Sequence, residues 1–397
     1  MSEQVIESRI RGFLSLTAHP DGCAQNVRQQ VALAKTFGEG SHGQIGTALV
    51  VGSSTGYGLA SALVTCFGYG AQTLGVCFER PSEGDKPATA GWYNLAEAHR
   101  LARAEGRTFE TINGDAFSDE IKAQVVEALR RLGPVDTFIY SLASPRRKDR
   151  AGTTWSSVLK PIGEPYIGKA FDLRNETVTE ASMEPATPEE VEATIKVMGG
   201  EDWTDWVDLL LREQLLAHNA RVVAYSYIGP EVTAPVYRHG TIGRAKEDLE
   251  ARAHALDARM AAEVGGRAWV SVNKAVVTQA SAAIPAVPLY LSALLKVMKE
   301  RGTNEGTIEQ IVRLFRDHLD PAQTPAVDAE GRIRLDDWEM TPEVQAEVQA
   351  IWDRVTTENF RALTDYEGYQ HAFHALFGFD LDGIDYTKAT EVERALG

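Results

Sequence analysis

Tyr237 and Lys246 stand nine residues apart in the run Tyr237-Arg-His-Gly-Thr-Ile-Gly-Arg-Ala-Lys246, downstream of the glycine-rich stretch Gly52-Ser53-Ser54-Thr55-Gly56-Tyr57-Gly58. These residue types suit one chemistry. A glycine turn that opens a helix offers unpaired amides and a positive dipole end to the diphosphate of a dinucleotide. A free phenol, with a pKa of about 10, donates weakly to a developing oxyanion, and a neighbouring ammonium lowers that pKa. Together they imply a reductase whose phenol serves the oxygen of a substrate carbonyl.

The spacing constrains the geometry. At 3.6 residues per turn, nine residues on one unbroken helix are half a rotation out of phase, so the two side chains would point apart. The pair can work only if Tyr237 lies ahead of the helix that carries Lys246. His239-Gly240-Thr241 supplies the break, with Gly240 for the turn and Thr241 as the expected N-cap. Tyr290 and Lys299 repeat the spacing, but no breaker separates them. A continuous helix is expected there, with Tyr290 packing or lining a substrate.

The elements that must position these groups alternate between apolar strands and amphipathic helices, as in an α/β parallel sheet. Strands are expected at 45–51, 73–78, 109–113, 135–141, 221–228 and 268–272. Helices are expected at 58–67, 94–105 and 119–131, and again after Lys246, where Ala245, Leu249, Ala253, Leu256, Met260 and Val264 recur at helical spacing. The layout is one enlarged Rossmann-type, doubly wound domain over 1–397. Within it lie an extra strand (10–17) and helix (24–36) inside 9–40, and a dinucleotide-binding half at 45–150. An insertion over the active edge spans 151–200, with a helix opening at Pro188. A catalytic half follows at 201–300, then a mostly helical region at 301–397, including helices at 305–319 and 341–361.

On that frame Glu79 closes the second strand, where it can receive the adenosine ribose hydroxyls and repel a 2′-phosphate, favouring NADH. Arg80 beside it could instead greet that phosphate. Asp115 is a hydrogen-bond acceptor for adenine or a plain turn aspartate. Leu142 and Ala143 would pass beneath the cofactor. The stretch Lys274-Ala-Val276-Val277-Thr278-Gln279 can hold the carboxamide of a nicotinamide. Tyr225 and Tyr227, two apart on the fifth strand, offer a substrate contact or core packing. The cluster Arg146-Arg147-Lys148-Asp149-Arg150, after the fourth strand, could meet substrate phosphates or an acidic carrier, and is by default a solvated loop. His371, His374, Asp380, Asp382 and Asp385 match no ligand pattern, so no metal is assigned.

The 397 residues carry a net charge of −16, which argues against general nucleic-acid binding. Cys23, Cys66 and Cys77 form no disulfide framework, and the composition fits a soluble protein of the reducing cytosol. Residues 275–295 lack charge, but Pro285 and Pro288 break them and a membrane span is not expected.

Longer strings carry a resemblance. Val51-Gly-Ser-Ser-Thr-Gly-Tyr-Gly58, Phe78-Glu-Arg-Pro81, Gly91-Trp-Tyr-Asn94, Asn113-Gly-Asp-Ala-Phe-Ser118, Tyr140-Ser-Leu-Ala143, Leu159-Lys-Pro-Ile-Gly163, Lys196-Val-Met-Gly-Gly-Glu-Asp-Trp203 and Ala275-Val-Val-Thr-Gln-Ala280 run through almost the whole chain. The sequence resembles the FabV-type enoyl-acyl-carrier-protein reductases, relatives of the trans-2-enoyl-CoA reductases. The resemblance implies an enlarged short-chain-dehydrogenase fold and NADH as cofactor. It implies Tyr237 and Lys246 as the signature pair and Tyr227 as a substrate contact. Cofactor contacts are implied from Gly52, Ser53, Ser54, Thr55, Gly56, Tyr57, Phe78, Glu79, Asp115, Ala116, Leu142, Ala143, Val276, Val277 and Thr278, together with Lys246. It further implies an enoyl thioester of acyl carrier protein or coenzyme A as substrate, and a monomer.

Overall fold

The computed structural model describes residues 3–38 and 43–396. Its centre is a seven-stranded parallel sheet: β1 (Thr47–Val51), β2 (Gln72–Cys77), β3 (Phe109–Asn113), β4 (Val135–Tyr140), β5 (Leu216–Ser226), β6 (Arg267–Val272) and β7 (Ile333–Arg334). The spatial order is 3-2-1-4-5-6-7, so the order reverses between β1 and β4. A crevice outside the carboxyl ends of those two strands is where a doubly wound sheet receives its ligand. Every residue of β1 is buried, as befits a strand covered on both faces.

The two faces have separate cores. One joins Val125 and Leu129 of helix α4 (Asp119–Leu132), Trp203 and Trp206 of α6 (Glu201–Arg212), and Leu249, Leu256 and Met260 of α7 (Thr241–Val264). The other joins Val27 and Val31 of α1 (Pro20–Gly38), Leu59 and Leu63 of α2 (Gly56–Leu63), Leu95 of α3 (Ala90–Ala104), and Ile311 and Leu314 of α10 (Thr307–Leu314). Local signals set the ends. Ser118 accepts from the Ile121 amide at 3.2 Å to cap α4, and Thr187 and Glu190 form a reciprocal capping box before α5 (Pro188–Met198).

A third cluster gathers beyond the carboxyl ends of β5 and β6. It holds Tyr290 and Leu294 of α9 (Val287–Arg301), and Val348 and Trp352 of α11 (Pro342–Arg354). Phe360 of α12 (Phe360–Leu363) and Tyr366 and Tyr369 of α13 (Tyr366–Ala375) complete it. The hairpin Tyr166–Asp172/Thr177–Met183 of the insertion docks there through Phe171, whose amide donates to the Pro285 oxygen at 2.9 Å.

Three expectations change here, and one strand was not foreseen. The segment 10–17 is a small hairpin, Ile10–Arg11 with Leu14–Ser15, and does not join the sheet. The helix expected over 341–361 stops at Arg354: Val355 takes an extended conformation, and the Asn359 side chain caps the Thr356 amide at 2.7 Å to start a new turn. β7, two residues long, is too short to show any period in sequence. The arginine cluster is not fully solvated, because Arg147 is buried against Glu201 (3.2 Å) and donates to the Lys196 oxygen at 2.8 Å.

Candidate active site

A cleft of about 940 Å³ opens at the switch point between β1 and β4. Gly52, Ser54, Thr55, Gly56, Tyr57, Phe78, Glu79, Asp115, Ala116, Leu142, Ala143, Val276, Val277 and Thr278 all line it. Gly52 has φ +89°, and a Cβ there would lie 2.5 Å from the Ser141 oxygen; one on Gly58 would collide with the Gly52 carbonyl. The turn is therefore drawn tight, and the start of α2, with no acidic residue in its first turn, faces the cleft. Such a cradle fits a dinucleotide diphosphate. Ser53 is the exception. Its side chain is fully buried and donates to the Val76 oxygen at 3.2 Å, because the adjoining Gly75 leaves room for it inside the sheet rather than at the cleft.

Glu79 accepts from the Ser54 hydroxyl at 2.5 Å, and its backbone is clamped by both ends of the Asn113 amide (2.7 and 2.9 Å). A Cβ on Gly91 would strike its carboxylate, so α3 approaches it closely by presenting a glycine. Asn94 on the same helix donates to the Ser54 oxygen at 3.1 Å. Asn94 and Asn113 were visible only as letters in the shared strings; their clamping roles come from the fold. Phe78, 80% exposed, stands at the rim of the cleft. Asp115 is at once a cleft residue and the cap of its own turn, accepting from the Phe117 amide at 3.0 Å. Thr278 caps the short helix α8 (Gln279–Ala282), accepting from the Ser281 amide at 3.1 Å.

Tyr237 lies ahead of α7, in a turn whose carbonyl accepts from Gly240 and Gly243 (3.2 and 2.9 Å). Gly240, not Thr241, is the N-cap. The Thr241 hydroxyl instead donates to the Val158 oxygen at 2.5 Å and accepts from the Lys160 amide at 3.3 Å, tying α7 to the insertion. Gly243 is required, since a Cβ would collide with the Arg238 carbonyl. The Tyr237 ring meets Tyr227 edge-on at 5.2 Å, and its hydroxyl makes no hydrogen bond among the described residues.

Neither Tyr237, Tyr227 nor Lys246 lines the cleft; each reaches its wall only through intervening residues. Lys246 donates to the Tyr225 oxygen at 3.5 Å, and Tyr225 packs against Tyr57. Tyr225 itself is core, its hydroxyl 2.6 Å from that of Ser61. Tyr227 donates to Glu339 at 3.2 Å, and the Ala275 amide on the cleft wall donates to the same carboxylate at 2.7 Å. Burial pushes the Tyr237 phenol up, with no cation offsetting it. This corrects the expectation that the lysine lowers it, because the ammonium is turned to the β5 backbone. Burial also lowers Lys246 to about 8, partly opposed by Glu250.

Glu339 is the residue that sequence reasoning missed. Fully buried, it accepts from Tyr227, Tyr290 (2.6 Å) and Ala275, and burial raises its pKa while the charge of Lys274 opposes the rise. The second tyrosine–lysine match behaves as expected: α9 is continuous, Tyr290 points inward and Lys299 outward to Asp365 at 2.6 Å. Among the described residues no group of three or more His, Cys, Asp or Glu side chains could hold a metal, and no helix is long and apolar enough to cross a membrane.

Three family models match the chain: an NAD(P)H binding domain of trans-2-enoyl-CoA reductase over 5–84, a trans-2-enoyl-CoA reductase catalytic region over 86–320, and an enoyl reductase FAD binding domain over 327–390. The sheet is continuous across all three spans. The chain is 55% identical over 384 residues to an NADH-dependent enoyl-acyl-carrier-protein reductase of Opitutus terrae, covering 96% of this chain and 97% of the relative. It is 52% identical over 386 residues to one of Pseudoalteromonas atlantica, covering 97% and 98%. The trans-2-enoyl-CoA reductase of Clostridium acetobutulicum in complex with NADH superposes with TM-score 0.95 at 40% identity, covering 99% of this chain and all of that one. That of Treponema denticola in complex with NAD superposes with TM-score 0.92 at 48% identity, covering 98% of each.

The 327–390 span does not fit a flavin dinucleotide. It gives the cleft only Ala372, Ala375, Leu376 and Phe377, and the start of α13 is already capped by the Asp365 carboxylate, which would repel a phosphate.

Proposed function

Since the chain belongs to the trans-2-enoyl-CoA reductase family, we propose that it reduces the trans-2 double bond of an enoyl thioester with NADH, the last step of a fatty-acid elongation round. The observation that carries this reading is Tyr237, broken out of α7 with its hydroxyl uncommitted among the described residues and joined through Tyr227 and Glu339 to the Ala275 wall of a cleft shaped for a dinucleotide. The glycine turn would hold the diphosphate, Glu79 the adenosine ribose, and Val276 to Thr278 the nicotinamide side. When bound, the dinucleotide supplies a hydride for the β-carbon of the substrate.

As charge moves to the thioester oxygen, Tyr237 donates to it and stabilises the enolate, whose α-carbon then takes up a proton to complete the reduction. Its raised pKa keeps the phenol protonated at neutral pH, the form a donor needs. Lys246, mostly charged below about 8, positions the cofactor ribose once its amine leaves the Tyr225 carbonyl. Tyr227 contacts the substrate beside Tyr237. Acyl carrier protein or coenzyme A bears the acyl group, and the chain works as a cytosolic monomer, with its three free thiols buried. The test is NADH oxidation with crotonyl-CoA against acetoacetyl-CoA. Turnover of the first alone supports the reading; turnover of only the second would make this a carbonyl reductase.

A further inference from the structure

The carboxylate of Glu339 sits where three parts of the site meet, more than ninety residues after Tyr237 and Lys246. β7 pairs with the end of β6, and the chain then turns back over that strand, the Leu335 and Asp336 amides both donating to the Val272 oxygen (2.9 and 3.2 Å). This brings Glu339 under the end of the sheet. One oxygen accepts from both phenols, Tyr227 at 3.2 Å and Tyr290 at 2.6 Å; the other accepts from the Ala275 amide at 2.7 Å.

No other hydrogen bond holds the Tyr227 hydroxyl among the described residues. Its ring lies between Tyr237, at 5.2 Å, and the turn at Gly229, whose φ of +81° folds the chain back against it. Tyr227 therefore has one polar anchor, and its ring abuts the phenol assigned to the substrate oxygen. We propose that Glu339 is a positioning residue for the reduction, fixing the Tyr227–Tyr237 pair relative to the Ala275–Val277 wall of the cofactor cleft. The inference rests on the proposed reaction and adds to it the group that sets the distance between phenol and cofactor.

A carboxylate suits the task because its acceptors face donors on both sides. A carboxamide cannot: if its oxygen keeps the two phenols, its NH2 opposes the Ala275 amide, and if it turns over, it meets the phenols as a donor. Lys274 bears on it through charge alone, since its ammonium donates to the Ala275 and Glu305 carbonyls rather than to Glu339.

The experiment is a double-mutant cycle on the full chain with Glu339→Gln, Tyr227→Phe and both together. It reads kcat and KM for crotonyl-CoA, NADH affinity by fluorescence titration, and Tm. A displaced phenol should cost about 100-fold in kcat. KM and NADH affinity in Glu339→Gln should stay within roughly threefold of wild type, and the double variant should be no slower than the slower single one. Independent losses that multiply would reduce Glu339 to a fold-stabilising residue and overturn the proposal, as would a Glu339→Gln enzyme with wild-type kcat. If Glu339→Gln does not fold, Tyr227→Phe decides alone: unchanged kcat there removes the anchor from the mechanism. A wild type inert towards crotonyl-CoA would instead sink the reaction itself.

Discussion

The segment Tyr237–Lys246 and the segment Tyr290–Lys299 have the same two residue types at the same spacing, yet the fold puts them to different uses. In the first, Gly240 and Gly243 let the chain turn before α7 begins, so the tyrosine is freed from helical phase. In the second, α9 runs unbroken and the half-rotation stands: Tyr290 enters the core on Glu339 while Lys299 meets solvent and Asp365. Two glycines, not the pair itself, separate a tyrosine freed from its helix from one held in it. The two segments still meet, because Tyr290 and Tyr227 share one oxygen of Glu339.

The comparison breaks most visibly at the first tyrosine. Tyr237→Phe is expected to lower turnover by about 10²- to 10⁴-fold with NADH affinity unchanged, read by steady-state kinetics and titration; an equal loss in Tyr290→Phe would erase the distinction. Next in size is the cofactor cradle on which the proposed reduction depends. Gly58→Ala drives a methyl into the Gly52 carbonyl and should destabilise the fold by about 1–3 kcal/mol in a denaturant titration, with weakened NADH binding.

Lys246 sharpens the comparison through pH. Its pKa of about 8 predicts turnover falling about tenfold per unit on the alkaline side. Stability moves the other way. The folded pKa lies below the ordinary lysine value, so from about 8 upward the unfolded chain holds a proton the folded chain lacks, and this group makes stability rise with pH across that window. A Lys246→Met variant should lose both trends; a profile that keeps them assigns the titration elsewhere. Within the second segment the effects shrink. Tyr290→Phe should cost about 1 kcal/mol of stability by thermal melting. Lys299→Ala removes an exposed pair and should cost between zero and about 1 kcal/mol with kcat intact.

What could be read in advance follows the range of the forces involved. The six longer strands, the glycine turn and the position of Glu79 rest on patterns a few residues long. Their observed bounds lie within one or two residues of expectation for five of the six strands. β5 starts at Leu216 rather than 221: His218 and Asn219 break the apolar run, and Asn219, at φ +63°, lies where the register shifts between Leu216 and Arg221. Ser53 misled because a side chain next to a glycine turn can face either the cleft or the sheet, and the space left by Gly75 decided. Arg147 misled because its partners, Glu201 and Asp205, lie far along the chain.

By itself the sequence determined the class of sheet, the order of its strands' chemistry and the requirement that Tyr237 stand off its helix, since helical phase and glycine conformations are local properties. Only the tertiary structure decided what surrounds that phenol. The edge contact with Tyr227, the upward shift of the phenol and the meeting of three donors on Glu339 depend on which distant surfaces are pressed together and dried. A buried carboxylate must find donors wherever packing supplies them, and no spacing along the chain records that choice.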